Sequence, residues 1–110
     1  GQVNAESLNG RQVGGIGGQA DFFRGARGSA HGAAIVALPS TANGKSRIVA
    51  QLDARAPVTT ARVDVDYVVT EWGVAEIRDQ TIGERALALS GVAAPEFRHQ
   101  LLSSASTLGH

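Results

Sequence analysis

Four glycines in the five residues Gly14-Gly15-Ile16-Gly17-Gly18, followed at once by Gln19-Ala20-Asp21-Phe22-Phe23-Arg24, constrain this chain more than any other stretch. Without Cβ atoms the backbone can take φ > 0 and approach a ligand closely, and successive N–H groups can turn toward one point. The segment that follows reads as a helix, with Asp21 in its first turn and Phe22, Phe23 and Ala26 on an apolar face. A loop of this kind at the positive end of a helix suits an anion or an oxyanion. A glycine-rich turn that holds no ligand satisfies the same residues, because so short a motif also arises by chance.

At 110 residues the chain is one domain or a piece of one, long enough to bury a core. Its 10 Lys and Arg balance 10 Asp and Glu, and the local excess of base is only Arg24 and Arg27 in the first helix, so no basic face for nucleic acid is expected. No apolar run approaches the ~20 residues of a membrane span, and no leader pattern is visible, so a cytoplasmic protein without membrane contact is expected. The absence of Cys excludes disulfides and thiolate metal sites, and His31, His99 and His110 lack ligand spacing, so no metal is expected. Gly1 opens on what reads as the middle of a strand, without Met, and the chain is therefore expected to be a fragment.

The remaining pattern is that of an α/β domain. Asn9-Gly10 is a turn signal ahead of the glycine loop. Ala33 to Leu38 is a continuous apolar run between Gly32 and Pro39, which predicts a strand buried on both faces. Ser40 to Ser46 reads as a polar loop around Asn43-Gly44, and Arg47 to Leu52 and Val58 to Thr60 as further short strands. Val63, Val65, Tyr67 and Val69 alternate with Asp64, Asp66 and Thr70, predicting a half-buried strand that runs into Glu71-Trp72-Gly73. Thr81-Ile82-Gly83-Glu84 has capping-box spacing and starts one helix. Pro95 starts another, along which Phe97, Leu101, Ala105 and Leu108 draw an apolar stripe. The expected architecture is an open, mostly parallel or mixed sheet covered by helices, the last two of them C-terminal.

Several short motifs fail on their mechanics. Gly15 to Ala20 fits the dinucleotide fingerprint, but the strand that should end in a ribose-binding carboxylate ends Ala37-Leu38-Pro39-Ser40. Gly44-Lys45-Ser46 resembles the end of a P-loop, yet Pro39 stands where that loop requires Gly. Ser29 or Ser40 with His31 and Asp64 would make a catalytic trio only on paper, since no G-x-S-x-G elbow exists. Glu71, beside Trp72 at a strand end, is the carboxylate of most interest; it fits a raised pKa, a backbone-amide acceptor or an Arg partner, with the structural roles favoured.

Segments running in order over almost the whole chain resemble the C-terminal part of the acetyl-CoA hydrolase/transferase family, which includes 4-hydroxybutyrate, butyrate–acetate and succinate CoA-transferases. They are Gly1 to Ser7, Gly14 to Phe22, Ile35-Val36-Ala37-Leu38-Pro39-Ser40-Thr41, Ser46 to Val49, Val58 to Thr60, Asp66 to Gly73, Glu84-Arg85-Ala86 and Pro95 to Arg98. The resemblance implies a CoA-transferase-like (NagB-like) half-domain. It also implies a reaction in which a glutamate carboxylate attacks an acyl-CoA thioester, an enzyme-glutamyl-CoA thioester forms, and a small carboxylate or water resolves it. On this resemblance Gly17 and Gly18 supply oxyanion amides, and Gly14, Gly15 and Gly18 shape the CoA contact.

Two departures follow. The family's nucleophilic Glu lies upstream of the part matched, so neither Glu6 nor Glu71 inherits that role. Relatives often carry a CoA-binding Lys where this chain has Asn43, and Lys45, two positions on, is the candidate replacement. The resemblance implies acyl-CoA, a small carboxylate and the remainder of the polypeptide as partners, a homodimer at full length, and an isolated segment without turnover. The alternatives are an acyl-CoA hydrolase, a non-catalytic nucleotide- or phosphate-binding module, and a structural domain whose loop is empty.

Overall fold

A computed structural model describes residues 1–8, 11–12, 14 and 17–107. Strands β1 (Ser7–Leu8) and β2 (Arg11–Gln12) pair antiparallel; the predicted Asn9-Gly10 turn lies outside the described residues. Helix α1 (Gln19–Gly28) continues through Gly25, at the modest cost of an interior glycine. It is tied down instead by charge: Arg24 Nη2 lies 3.7 Å from Asp64 Oδ2, and Arg27 Nε 3.2 Å from Asp66 Oδ1. The chain leaves α1 through Gly32, where an added Cβ would stand 1.8 Å from the Ala26 carbonyl oxygen, so only glycine fits.

The main sheet has the order β3 (Ile35–Ala37), β6 (Tyr67–Thr70), β7 (Gly73–Glu76), with β3 parallel and β7 antiparallel to β6. Between β3 and β6 lies a hairpin, β4 (Thr41–Ala42) and β5 (Lys45–Ser46), whose central residues Asn43 (φ 52°) and Gly44 (φ 75°) take the left-handed pair of angles that a two-residue turn needs. The polar loop predicted there is thus a tight hairpin. Helices α2 (Ile82–Val92) and α3 (Pro95–Ala105) close the domain. The capping box is present in full: Thr81 Oγ1 accepts from Glu84 N, and Glu84 Oε2 accepts from Thr81 N. Pro95 occupies the first turn of α3, Phe97 and Leu101 are half-buried and Ala105 is buried, while Leu108 lies outside the described residues.

Helix α2 packs on β6 and β7, and α3 packs on α2. The core is Ile48, Val65, Val68, Ala75, Ile77, Val92 and Ala93, with Phe23, Val36, Leu38, Leu89 and Leu101 against it. Ile77 is wholly buried, which contributes about 2–3 kcal/mol. Thr70 Oγ1 donates to Val92 O at 2.6 Å, fastening the end of β6 to the end of α2. The α/β class, the mixed sheet and the two closing helices are as expected from the sequence. No helix among the described residues is long and apolar enough to cross a membrane.

Four local expectations are corrected. The apolar run Ala33 to Leu38 forms only a three-residue edge strand, and Ile35 is 52% exposed, because none of the described residues covers its second face. Arg47 to Leu52 forms no strand; Ile48 enters the core from an irregular segment while Val49 stays exposed. Val58 to Thr60 contributes an isolated bridge, Thr60 to Val3. In the Val63 to Thr70 alternation Val65 is buried as expected, but from Asp66 onward the phase is opposite, with Asp66, Val68 and Thr70 buried and Tyr67 and Val69 half-exposed. Its start is a 3₁₀ turn, Arg62–Asp64, after which Asp66 points inward, its burial compensated by the Ala34 N–H and the Arg27 guanidinium.

Candidate active-site loop

At the end of the glycine loop, exposed Gly17 and Gly18 lead into a helix that has no side-chain cap. Gly18 is the N-cap of α1 (φ −98°, ψ 6°), and its carbonyl accepts from Phe22 N at 3.0 Å. A glycine N-cap supplies no side-chain acceptor to the first turn, so the partial positive charge of the helix end faces the loop. Gly17 takes φ +62°, which an L side chain resists. Gly14 and Gly18 are different: neither has positive φ, a Cβ on Gly14 would meet nothing within 4 Å, and one on Gly18 only Phe22 Cδ2 at 3.9 Å. Packing among the described residues therefore does not require glycine at Gly18. Gly15 and Ile16 lie outside the described residues. The amide oxygen Oε1 of Gln19 is buried with no hydrogen-bond partner among the described residues, an acceptor left beside the loop.

The loop is held from behind. Gly14 N donates to the Glu6 carbonyl oxygen at 3.1 Å. The Glu6 side chain is itself buried and accepts from Thr59 Oγ1 at 2.9 Å, while that hydroxyl accepts from Ala5 N at 2.8 Å. Asn4 Oδ1 turns the segment by accepting from Glu6 N and Ser7 N, both at 3.1 Å. Helix α1 is oriented at its other end. Arg27 Nε approaches Asp66 Oδ1 closely enough for an ion pair though not in line for a hydrogen bond, and Arg27 also donates to Val63 O. Asp66 Oδ2 accepts from Ala34 N at 2.9 Å, so one buried carboxylate joins α1 to the entry of β3.

The other candidates lie beyond the ends of the parallel strands. Asn43 and Lys45 are exposed on the β4–β5 hairpin, and among the described residues no hydrogen bond or ion pair joins either to Gly17 or Gly18. Beside the hairpin, Glu71 Oε1 accepts from Ser40 N at 2.8 Å, and this amide holds the carboxyl below the usual carboxylate range. Glu71 is thus a backbone-amide acceptor, as the structural reading expected, and a raised pKa is excluded. The hydroxyl of buried Ser40 accepts from Trp72 Nε1 at 3.2 Å, and Arg98 lies over the Trp72 ring at 5.5 Å while donating to Ala93 O. His31 and His99 are exposed. Among the described residues no cluster of metal-ligating side chains is assembled. Sequence reasoning passed over Glu6 with Thr59 and Asp66 with Arg27; the pairs are 53 and 39 residues apart, and no local spacing marks them.

A mixed sheet backed by two closing helices, with a glycine loop opening onto a helix N-terminus, is the build of a CoA-transferase-type α/β domain. RipA from Yersinia pestis matches it with a TM-score of 0.86 and 42% identity, over 96% of this chain and 24% of that one. A 4-hydroxybutyrate CoA-transferase from Porphyromonas gingivalis matches with a TM-score of 0.69 and 49% identity, over 78% of this chain and 21% of that one. The chain belongs to the acetyl-CoA hydrolase/transferase family, whose C-terminal domain model matches residues 1–105. It is 53% identical over 105 residues to the 4-hydroxybutyrate coenzyme A transferase of Clostridium kluyveri, covering 94% of this chain and 24% of the relative. It is 50% identical over 107 residues to the succinyl-CoA:cyclohexane-1-carboxylate CoA transferase of Geobacter metallireducens, covering 96% of this chain and 24% of that relative. The chain thus spans about a quarter of the length of these relatives.

Proposed function

We propose that this chain is the C-terminal segment of an acyl-CoA:carboxylate CoA-transferase, contributing the oxyanion loop and part of the CoA pocket. The observation that carries the reading is the exposed backbone at Gly17 and Gly18 in front of the α1 N-terminus, where a Cβ on Gly18 would meet only Phe22 Cδ2 among the described residues. The nucleophile is a Glu outside this chain. Its carboxylate oxygen adds to the thioester carbonyl carbon, and the carbonyl electrons move onto oxygen, where the Gly17 and Gly18 N–H groups receive the charge. Collapse expels CoA thiolate and leaves an acyl-glutamyl anhydride. The thiolate then attacks the glutamyl carbonyl, releases the first acid and forms the enzyme-glutamyl-CoA thioester, which the second carboxylate resolves.

Gly14, Gly15 and Gly18 form the CoA contact, and Asn43 with Lys45 extends it, Asn43 by hydrogen bonding and Lys45 by pairing with a phosphate. The substrates are acyl-CoA and a small carboxylate, CoA serves as co-substrate without a metal, and the full-length protein is a cytoplasmic homodimer. Transfer is favoured over hydrolysis because the curated relatives are named as transferases. The test compares the 110-residue chain with its full-length parent, supplying an acyl-CoA and acetate and following CoA exchange. Exchange is expected only from the full-length protein. Full turnover by the isolated chain would overturn the missing nucleophile, and release of free acid independent of acceptor would favour the hydrolase.

A further inference from the structure

Trp72, in the turn between β6 and β7, is 50% exposed, which leaves on the order of 100 Å² of its side chain in water. It is nevertheless held in one orientation. Its backbone N–H donates to Thr70 Oγ1 at 3.1 Å, and its Nε1 donates to Ser40 Oγ at 3.2 Å. The Arg98 guanidinium lies 5.5 Å from the ring centroid and is itself anchored, since Arg98 Nε donates to Ala93 O at 2.8 Å. An exposed ring fixed in this way is a stacking platform, because a planar partner then binds with little further ordering. Cations surround it. Ser40 leads into the β4–β5 hairpin and its carbonyl accepts from Arg47 N at 2.7 Å, so strand alternation puts Lys45, and Arg47 just beyond β5, on the face that Ser40 shares. Both are exposed, and among the described residues no carboxylate pairs with either of them or with Arg98. The adjacent carboxylate, Glu71, accepts from Ser40 N instead.

We propose that Trp72 stacks on the adenine of CoA, while Lys45, Arg47 and Arg98 take its phosphates. The inference rests on CoA being the co-substrate, and it adds the place where the nucleotide end is read. Charge selects that end. The pantetheine arm is neutral and finishes at the thioester, whereas every phosphate of CoA sits on the adenosine end. Cations left without acidic partners attract that end and gain nothing from a neutral amide chain. The adenine supplies the flat π face that an exposed indole stacks on, and such stacking is worth about 5–150-fold in Kd per base. Arg98 spends Nε on Ala93 O, which leaves its other guanidinium donors for a phosphate. Lys45 reaches outward because Asn43 and Gly44 reverse the chain within two residues, at φ 52° and 75°.

The test is titration calorimetry on the full-length protein with CoA, adenosine 3′,5′-bisphosphate and pantetheine. Wild type is expected to bind the bisphosphate, and Trp72→Leu to raise the Kd of both CoA and the bisphosphate by about 5–150-fold. The preference for CoA over pantetheine should fall by the same factor, which a general loosening of the fold would not produce. Arg47→Gln should raise the Kd of CoA by about fivefold at low salt and by less at high salt. A Kd for CoA within about twofold of wild type in Trp72→Leu overturns the proposal, and so does a wild type that binds CoA but not the bisphosphate. If Trp72→Leu does not fold, Arg47→Gln decides by the same threshold. Binding, not turnover, is read. Bisphosphate affinity that depends on Trp72 in a protein without CoA exchange would refute the transferase reading alone. Normal exchange with a Kd indifferent to Trp72 would refute this inference alone.

Discussion

Gly18→Ala in the full-length protein separates folding from catalysis at the loop. The position accepts a methyl: its φ of −98° is open to L residues, and the nearest atom to an added Cβ is Phe22 Cδ2 at 3.9 Å. As an N-cap, Ala is worse than Gly by about 0.5–1 kcal/mol. The unfolded chain loses freedom with Ala and offsets roughly 0.4–1 kcal/mol of that. Stability should therefore change by less than about 0.5 kcal/mol, read by thermal unfolding. Catalysis should change far more. The methyl leaves the N–H in place but occupies the approach to it, and displacing the oxyanion by about 1 Å costs on the order of 10²-fold in rate. Loss of the donor altogether costs about 10²–10³-fold in kcat, or about 2.7–4 kcal/mol. The assay is CoA transfer from an acyl-CoA to acetate at saturating substrate. A kcat within about threefold of wild type, with an unchanged melting temperature, would refute the oxyanion role. Gly17→Ala is the wrong variant for this purpose, because φ +62° alone costs about 1–2 kcal/mol of folding.

What was legible in the sequence divides along the same line between local and distant causes. Helices α2 and α3 could be read because their starts are written locally, in Thr81 with Glu84 and in Pro95. The helix behind the glycine loop was legible for the same reason. Strand β7 was missed, since Gly73 to Glu76 holds only Val74 and Ala75 as apolar residues and is a strand only because β6 pairs with it. The phase of β6 was misread because alternation alone made Asp66 an outward residue, whereas Arg27 and the Ala34 amide, far away in sequence, make its burial tolerable. The apolar run at Ile35 was read as buried on both faces, whereas Ile35 and Ala37 are exposed and only Val36 packs against the core.

Three further outcomes follow from named contacts. Asp66→Ala removes the acceptor of the buried Ala34 N–H and should cost about 1–3 kcal/mol in urea unfolding; a loss below about 0.5 kcal/mol would mean that the Arg27 contact and the amide bond are both dispensable. Glu71 has a folded-state pKa below its unfolded value, so its contribution is present above the unfolded pKa and is lost as pH falls through the folded one. The stability gap between wild type and Glu71→Gln should accordingly be open at neutral pH and close in acid, and a gap that widened in acid would contradict the Ser40 contact. Lys45→Ala tests the proposed phosphate contact. Lys45 is exposed on a hairpin whose shape is set by Asn43 and Gly44, so removing its side chain leaves the fold untouched. A contact made equally in the ground and transition states raises KM and leaves kcat alone. The KM for acyl-CoA should therefore rise by about fivefold, the worth of one partly screened charge pair of about 1 kcal/mol, and the effect should shrink in high salt. A KM unchanged at low salt would remove Lys45 from the CoA pocket and leave Asn43 as the hairpin's only candidate.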